Sequence, residues 1–176
     1  FNYPEALEIS RFIKSNFDIK IIIGGVHAIL TPEEVIQNDE IDIVCTGEGE
    51  LVLKDLLDNS LDCKNVKGIW YKHNGKIIKN EKRRLIDNLD SIPFPDFDDF
   101  DIERYFIVNH KHFPIMGSRG CPYNCTFCGN HALKKNLVGK YVRDRSVDNI
   151  LEEVEKRIKD FYDQGLRYFY FFDDTF

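Results

Sequence analysis

The sequence has no run of apolar residues near the roughly 18 that a membrane-spanning helix needs, so no membrane is expected as a partner. It is short of positive charge: 24 Lys and Arg against 30 Asp and Glu leave a net charge of −6. That balance argues against nucleic acid as a partner. No signal peptide is visible. Cysteine is scarce and odd in number, 5 in all, and three of them fall within residues 121–128. That is a poor disulfide framework and a good metal cluster, and it points to a reducing cytoplasm. Internal repeats and low-complexity tracts are absent. What remains is ordinary for a globular protein, 43% apolar and 31% charged.

Periodicity over the first 65 residues reads as alternating helix and strand. Ala6, Leu7, Ile9, Phe12 and Ile13 form a helical stripe over 5–16, and Lys20 to Ile23 is a short apolar strand ending at Gly24-Gly25. Thr31-Pro32-Glu33-Glu34 predicts a helix start with Thr31 as N-cap and Glu34 closing a capping box. A second strand, Ile41 to Cys45, ends at Thr46-Gly47-Glu48-Gly49, and a helix follows from Glu50 to Leu57. Such alternation with Gly-rich strand exits is the pattern of a parallel α/β sheet. The C-terminal edge of such a sheet is its ligand edge, and glycine there lets backbone approach a cofactor.

The pattern then changes. Asn74-Gly75, between Gly68–His73 and Lys76–Ile78, is a hairpin signal. Residues 84–104, with Pro93, Pro95 and many Asp, read as linker. From about Phe113 a second β-loop-α-β unit begins: a strand to Gly117, a loop of about 28 residues, and a helix capped by Ser146. That helix carries Val147, Ile150, Leu151, Val154, Ile158 and Phe161 on one face; Gly165 ends it, and a strand over 168–172 follows. Loops this long in compact domains are usually functional. Arg143 and Arg145, ahead of the cap, are expected to be solvated, with a carboxylate or a neighbouring domain as the other reading.

The long loop holds Gly117-Ser118-Arg119-Gly120-Cys121-Pro122-Tyr123-Asn124-Cys125-Thr126-Phe127-Cys128. Three thiolates spaced Cys-x3-Cys-x2-Cys can ligate three irons of a cuboidal 4Fe–4S cluster and leave the fourth open to a substrate. Zinc would take His131 as a fourth ligand; a ferredoxin-like site would need Cys45 or Cys63, whose spacing predicts nothing.

This spacing, with Phe127 as the aromatic before the last Cys, resembles the radical S-adenosylmethionine (SAM) superfamily. The resemblance implies that Cys121, Cys125 and Cys128 hold a 4Fe–4S cluster. It also implies that SAM chelates the open iron and is cleaved to a 5′-deoxyadenosyl radical, with an electron donor such as flavodoxin or ferredoxin. A Gly-Gly-Glu motif usual at the second strand's exit is missing. In its place stand Asp173 and Asp174, which with Phe127 are the candidate SAM contacts; the alternative is that the two carboxylates cap the strand.

The order Gly24-Gly25-x-His27, Gly47-Glu48-Gly49-Glu50, Pro93-Phe94-Pro95-Asp96 and then the Cys motif resembles cobalamin-binding-domain radical SAM proteins over nearly the whole chain. The implied fold is α/β. Residues 1–65 would be the C-terminal half of a flavodoxin-like, cobalamin-binding parallel sheet, 66–110 a β-hairpin linker, and 111–176 the first βαβ unit of a truncated radical SAM (β/α) barrel. Gly24, Gly25, Gly47, Glu48 and Gly49 would line the groove for cobalamin. No Asp-x-His-x-x-Gly motif is present, so His27 is not assigned to cobalt. The chain starts at Phe1 and ends on a strand, and is expected to be an inactive excerpt of an enzyme. Its reaction would be cobalamin-dependent methyl transfer or cyclisation of a small-molecule or peptide substrate. Cobalamin-independent chemistry such as methylthiolation, and a non-enzymatic zinc or iron–sulfur module, are the alternatives.

Overall fold

In the computed structural model residues 2–175 are described. Along the chain run α1 (Tyr3–Asn16), β1 (Ile22–Ile23), α2 (Val26–Leu30), α3 (Pro32–Gln37), β2 (Ile43–Cys45), α4 (Glu50–Asp58), β3 (Ile69–His73) and β4 (Lys76–Lys79). Then come α5 (Ile102–Val108), β5 (His112–Ile115), β6 (Ser118–Arg119), α6 (Asn130–Asn136), β7 (Arg143–Asp144), α7 (Val147–Phe161) and β8 (Tyr168–Phe171). The chain divides into two compact units that interleave in sequence. The first holds the residues up to Ile86 together with 124–139; the second holds 87–123 and the residues from Lys140 on. Among the described residues no helix is long and apolar enough to cross a membrane.

The first unit is a four-stranded sheet in the order β1-β2-β3-β4. Only β1 and β2 are parallel (Ile22↔Ile43); β3 joins β2 antiparallel (Val44↔Trp70), and β4 completes the hairpin. Within residues 1–65 the two strands thus pair parallel, as the sequence predicts, and the correction is that the hairpin joins them and makes the whole sheet mixed. The hairpin placed in a linker is part of the sheet because β2 needs a partner on its second edge, and β3 supplies one with apolar residues on both faces. Ile43, Cys45 and Ile69 pack with Val52, Leu56, Cys63 and Val66 on one face. Val44 faces the other way, with Ala28, Val35, Ile36 and Ile41, and Trp70 covers that side. A strand buried on both faces reads as a continuous apolar run, as 41–45 does. Asn74 and Gly75, at φ 49° and 71°, make the two-residue turn that matches the twist of the strands.

The Thr31 cap is also corrected. Its hydroxyl does not accept from α3 but donates to the His27 carbonyl at 3.1 Å and lies 3.3 Å from His27 Nε2, so it closes α2. Two short helices meet at Thr31, and the orphan carbonyl of the first competes with the amides of the second.

The second unit is a right-sized βαβ: β5 and β8 are parallel (Phe113↔Phe169), with α7 between them in sequence. Ile102, Phe106, Phe113, Ile115, Phe161 and Leu166 form its core. Ser146 caps α7 as expected, its Oγ accepting from the Asn149 amide at 3.1 Å. The face of α7 that the sequence pattern marks as apolar is corrected. Ile150, Val154 and Phe161 do pack inward, but Val147, Leu151 and Ile158 are exposed, and the other inward positions are Glu153 and Arg157. Arg157, 1% exposed, lies over Phe97, Phe113 and Phe161 at 4.9, 5.4 and 6.0 Å from the ring centroids. It donates to the Pro95 carbonyl at 2.6 Å and to Glu153 at 3.3 Å. Glu153 also accepts from Arg145 at 2.6 Å. A guanidinium can enter a core when rings, a carbonyl and a carboxylate replace its water. Pro95 and Phe97, read as linker, are therefore wired into this core.

Arg143 and Arg145 depart from the solvated reading too. Arg143 is 3% exposed. Arg145 binds Glu153, Asn149 and the Met116 carbonyl. Removing Glu153 would take the carboxylate from one buried cation, Arg157, and one half-buried cation, Arg145. Glu153→Ala is expected to cost about 3–5 kcal/mol in chemical denaturation, and Glu153→Gln clearly less.

Candidate iron–sulfur and cofactor site

The long loop leaves β5 through a set of backbone and side-chain ties within the second unit. The Gly117 carbonyl accepts from the Arg145 amide at 2.8 Å, and β6 pairs with β7 (Ser118↔Asp144, Arg119↔Arg143). Asp173, just past β8, accepts from the Gly117 amide at 3.2 Å and from the Ser118 hydroxyl at 2.5 Å. Gly120 then turns the chain at φ 84°, and a Cβ there would lie 2.4 Å from the Tyr141 carbonyl oxygen. Only glycine fits, for both conformation and space. Cys121 follows with its Sγ 2.9 Å from Thr175 Oγ1.

Cys125 and Cys128 fall in the first unit. The Cys128 amide bonds to the Cys125 carbonyl at 3.1 Å, a tight turn that brings the chain into α6. Cys125 is exposed, Cys128 half-buried and Phe127 92% exposed. His131, the alternative zinc ligand, has its Nδ1 buried without a hydrogen-bond partner. Among the described residues no three His, Cys, Asp or Glu side chains are already gathered as a metal cage.

All five cysteines are free thiols. Cys45 and Cys63 sit in the first core, and burial pushes both thiols up. They are packing residues. The thiols that could serve as metal ligands are therefore those of the loop, and three soft sulfurs outside any disulfide could take three irons of a 4Fe–4S centre.

The glycine-rich exits lie at the ends of β1 and β2 in the first unit. Gly24 and Gly25 are exposed, and Gly25 has φ 89°; around Gly25 and Gly49 a Cβ would meet nothing within 4 Å. Glu48 is engaged: its carboxylate accepts the Ile86 amide at 2.7 Å. Gly47 faces the Leu137 side chain, α6 packs on α2, and Leu85 donates to the Val138 carbonyl at 2.8 Å. The segment that follows Cys128 is thus laid along the glycine edge. Nothing in local periodicity announces this docking, which rests on contacts between residues 53 or more positions apart in sequence. Thr175 was likewise missed, since a Thr after two Asp at a strand exit reads only as a cap. Of the candidate SAM contacts, Asp173 is committed to the β5 exit, while Asp174 is exposed.

Two measurements follow. On the metal-free protein, iodoacetamide at pH 8 should label Cys125 first and Cys45 and Cys63 last, read by peptide mass spectrometry; faster labelling at Cys45 would contradict the burial. Gly120→Ala should destabilise the fold by at least about 1 kcal/mol and speed proteolysis within 117–129.

No protein-family model matches the chain. An uncharacterized methyltransferase of Pyrococcus horikoshii is 34% identical over 177 residues, covering 98% of this chain and 37% of that protein. The anaerobic magnesium-protoporphyrin IX monomethyl ester cyclase of Rubrivivax gelatinosus is 29% identical over 169 residues, covering 90% of this chain and 29% of the cyclase. The solved structure of the cobalamin-dependent S-adenosylmethionine radical enzyme OxsB, with aqua-cobalamin and S-adenosylmethionine bound, overlays with a TM-score of 0.76 at 24% identity. It covers 98% of this chain and 24% of that one, and at that identity the likeness speaks for the fold. The chain thus spans about a third of the length of the curated relatives it matches. With the Cys-x3-Cys-x2-Cys loop at the exit of β5, these likenesses identify it: the chain belongs to the radical SAM superfamily, among its cobalamin-dependent members.

Proposed function

We propose that this chain is part of a cobalamin-dependent radical SAM enzyme that transfers a methyl group or closes a ring on an organic substrate. The observation that carries the reading is the set of three unpaired loop thiols, Cys121, Cys125 and Cys128, placed just after a parallel strand. Loops at that end of the strands build the active sites of β/α barrels. Relatives named as a methyltransferase and as a cyclase support the two reaction classes.

The three cysteines would hold a 4Fe–4S cluster and leave one iron for SAM. When bound, the cluster supplies one electron that cleaves SAM to methionine and a 5′-deoxyadenosyl radical, and cobalamin supplies a methyl carrier. This chain's residues position those groups. Asp173 holds the first turn of the loop through Gly117 and Ser118. Asp174, which accepts no hydrogen bond from another described residue, is the carboxylate left to meet the ammonium of SAM. Phe127 would lay its exposed ring beside the cluster. Gly24, Gly25, Gly47 and Gly49 would let backbone approach the cobalamin tail, whereas Glu48 fastens Ile86 and shapes the edge from behind. One electron must come from outside, from a low-potential donor such as flavodoxin or ferredoxin.

Anaerobic reconstitution of the full-length protein tests the proposal. Uptake of about four irons is expected, with a reduced EPR signal that shifts when SAM is added. Cys125→Ala should lose most of the iron, and cobalamin should co-purify, visible in the absorption spectrum. Tight zinc without iron uptake would sink the reading.

A further inference from the structure

We infer that Thr175 is a positioning residue for the iron–sulfur centre: its hydroxyl donates a hydrogen bond to the Cys121 thiolate and raises the cluster's reduction potential. The inference rests on the reading that Cys121 ligates a cluster. Its geometric basis is the 2.9 Å approach of Thr175 Oγ1 to Cys121 Sγ. Either atom could donate while the sulfur is a thiol. A ligating thiolate has no proton, so the donor must then be the Thr175 hydroxyl.

The contact is held by what surrounds it. β5 and β8 pair up to Ile115↔Phe171, and the Phe172 amide still reaches the Ile115 carbonyl at 2.8 Å. Asp173 then clamps Gly117 and Ser118. Thr175 is the next tie outward, and it meets the loop at Cys121, whose backbone is set by the tight turn at Gly120. The two strand exits are thus laced together by three successive residue ties, and the outermost falls on a sulfur. The sulfurs of Cys125 and Cys128 have no such donor among the described residues, so the three ligands are not equivalent.

The electrostatic consequence has a definite sign. A reduced cluster carries one more negative charge than an oxidised one, and part of that charge resides on the sulfurs. A donor aimed at a sulfur stabilises the reduced form more, and hydrogen bonds to cluster sulfurs are among the levers that set the potential. Thr175 therefore eases reduction of a centre that must otherwise work at low potential.

The test compares full-length wild type, T175V and T175S after anaerobic reconstitution, with midpoints from EPR-monitored titration using dithionite and mediators. T175V keeps the shape and removes the donor. Its midpoint should fall by up to about tenfold in the reduction equilibrium, which is 59 mV for one electron. T175S should stay near wild type. Proton ENDOR in H2O against D2O should show an exchangeable proton coupled to the cluster in wild type and T175S, lost in T175V. A wild-type midpoint together with a wild-type proton coupling in T175V would overturn the inference. If T175V takes up no iron, the T175S spectrum decides: the exchangeable coupling supports the assignment and its absence refutes it. Failure of wild type to bind iron would instead remove the cluster reading itself, and this inference with it.

Discussion

The second unit turns on one buried carboxylate. Glu153 is shared by Arg157, which is enclosed by Phe97, Phe113 and Phe161, and by Arg145, which also holds the Met116 carbonyl at the end of β5. The same charge therefore anchors the 93–97 segment through Pro95 and the base of the cysteine loop through Met116. Buried ion pairs add little net stability over apolar packing, because desolvation consumes most of their attraction. What this one adds is a single arrangement: the 93–97 segment, α7 and the base of the cysteine loop are tied together through one carboxylate and its two arginines.

The first unit solves a different problem. β2 is only three residues long and buried on both faces, so it needs a neighbour at each edge and a layer over each side. β1 and the β3–β4 hairpin supply the edges; α4 supplies one layer and α2 with α3 the other. The parallel β1–β2 pair leaves its two glycine exits at one end, and α6, contributed by residues far along the chain, packs there against α2. The loop that carries the cysteines consequently begins in one unit and finishes in the other.

Much of this was legible beforehand. The Ser146 cap, the Asn74-Gly75 turn, the alternating elements of the first unit and the β5–α7–β8 unit follow from local rules, and the structure contains them. The cysteine spacing sets the three loop thiols apart as candidate ligands, and Cys45 and Cys63 are core residues. The errors have a common cause. Residue type alone marks the apolar stripe of α7, and it cannot show that Glu153 pairs with an Arg157 held among aromatic rings. Arg143 and Arg145 look solvated by residue type for the same reason. Thr31 reads locally as the cap of the helix after it, whereas its hydroxyl serves the helix before it.

The sequence by itself determined the chemistry on offer: three thiols at Cys-x3-Cys-x2-Cys, glycines at two strand exits, and an acidic pair after the last strand. These are properties of residue type and spacing, which local physics reads directly. Tertiary structure alone decided how they are used. It assigned Asp173 to the β5 exit and left Asp174 exposed, spent Glu48 on Ile86, laid α6 along the glycine edge, and set Thr175 against the Cys121 sulfur. Each of those choices joins residues at least 38 positions apart, and no local rule can see a partner that only folding brings near.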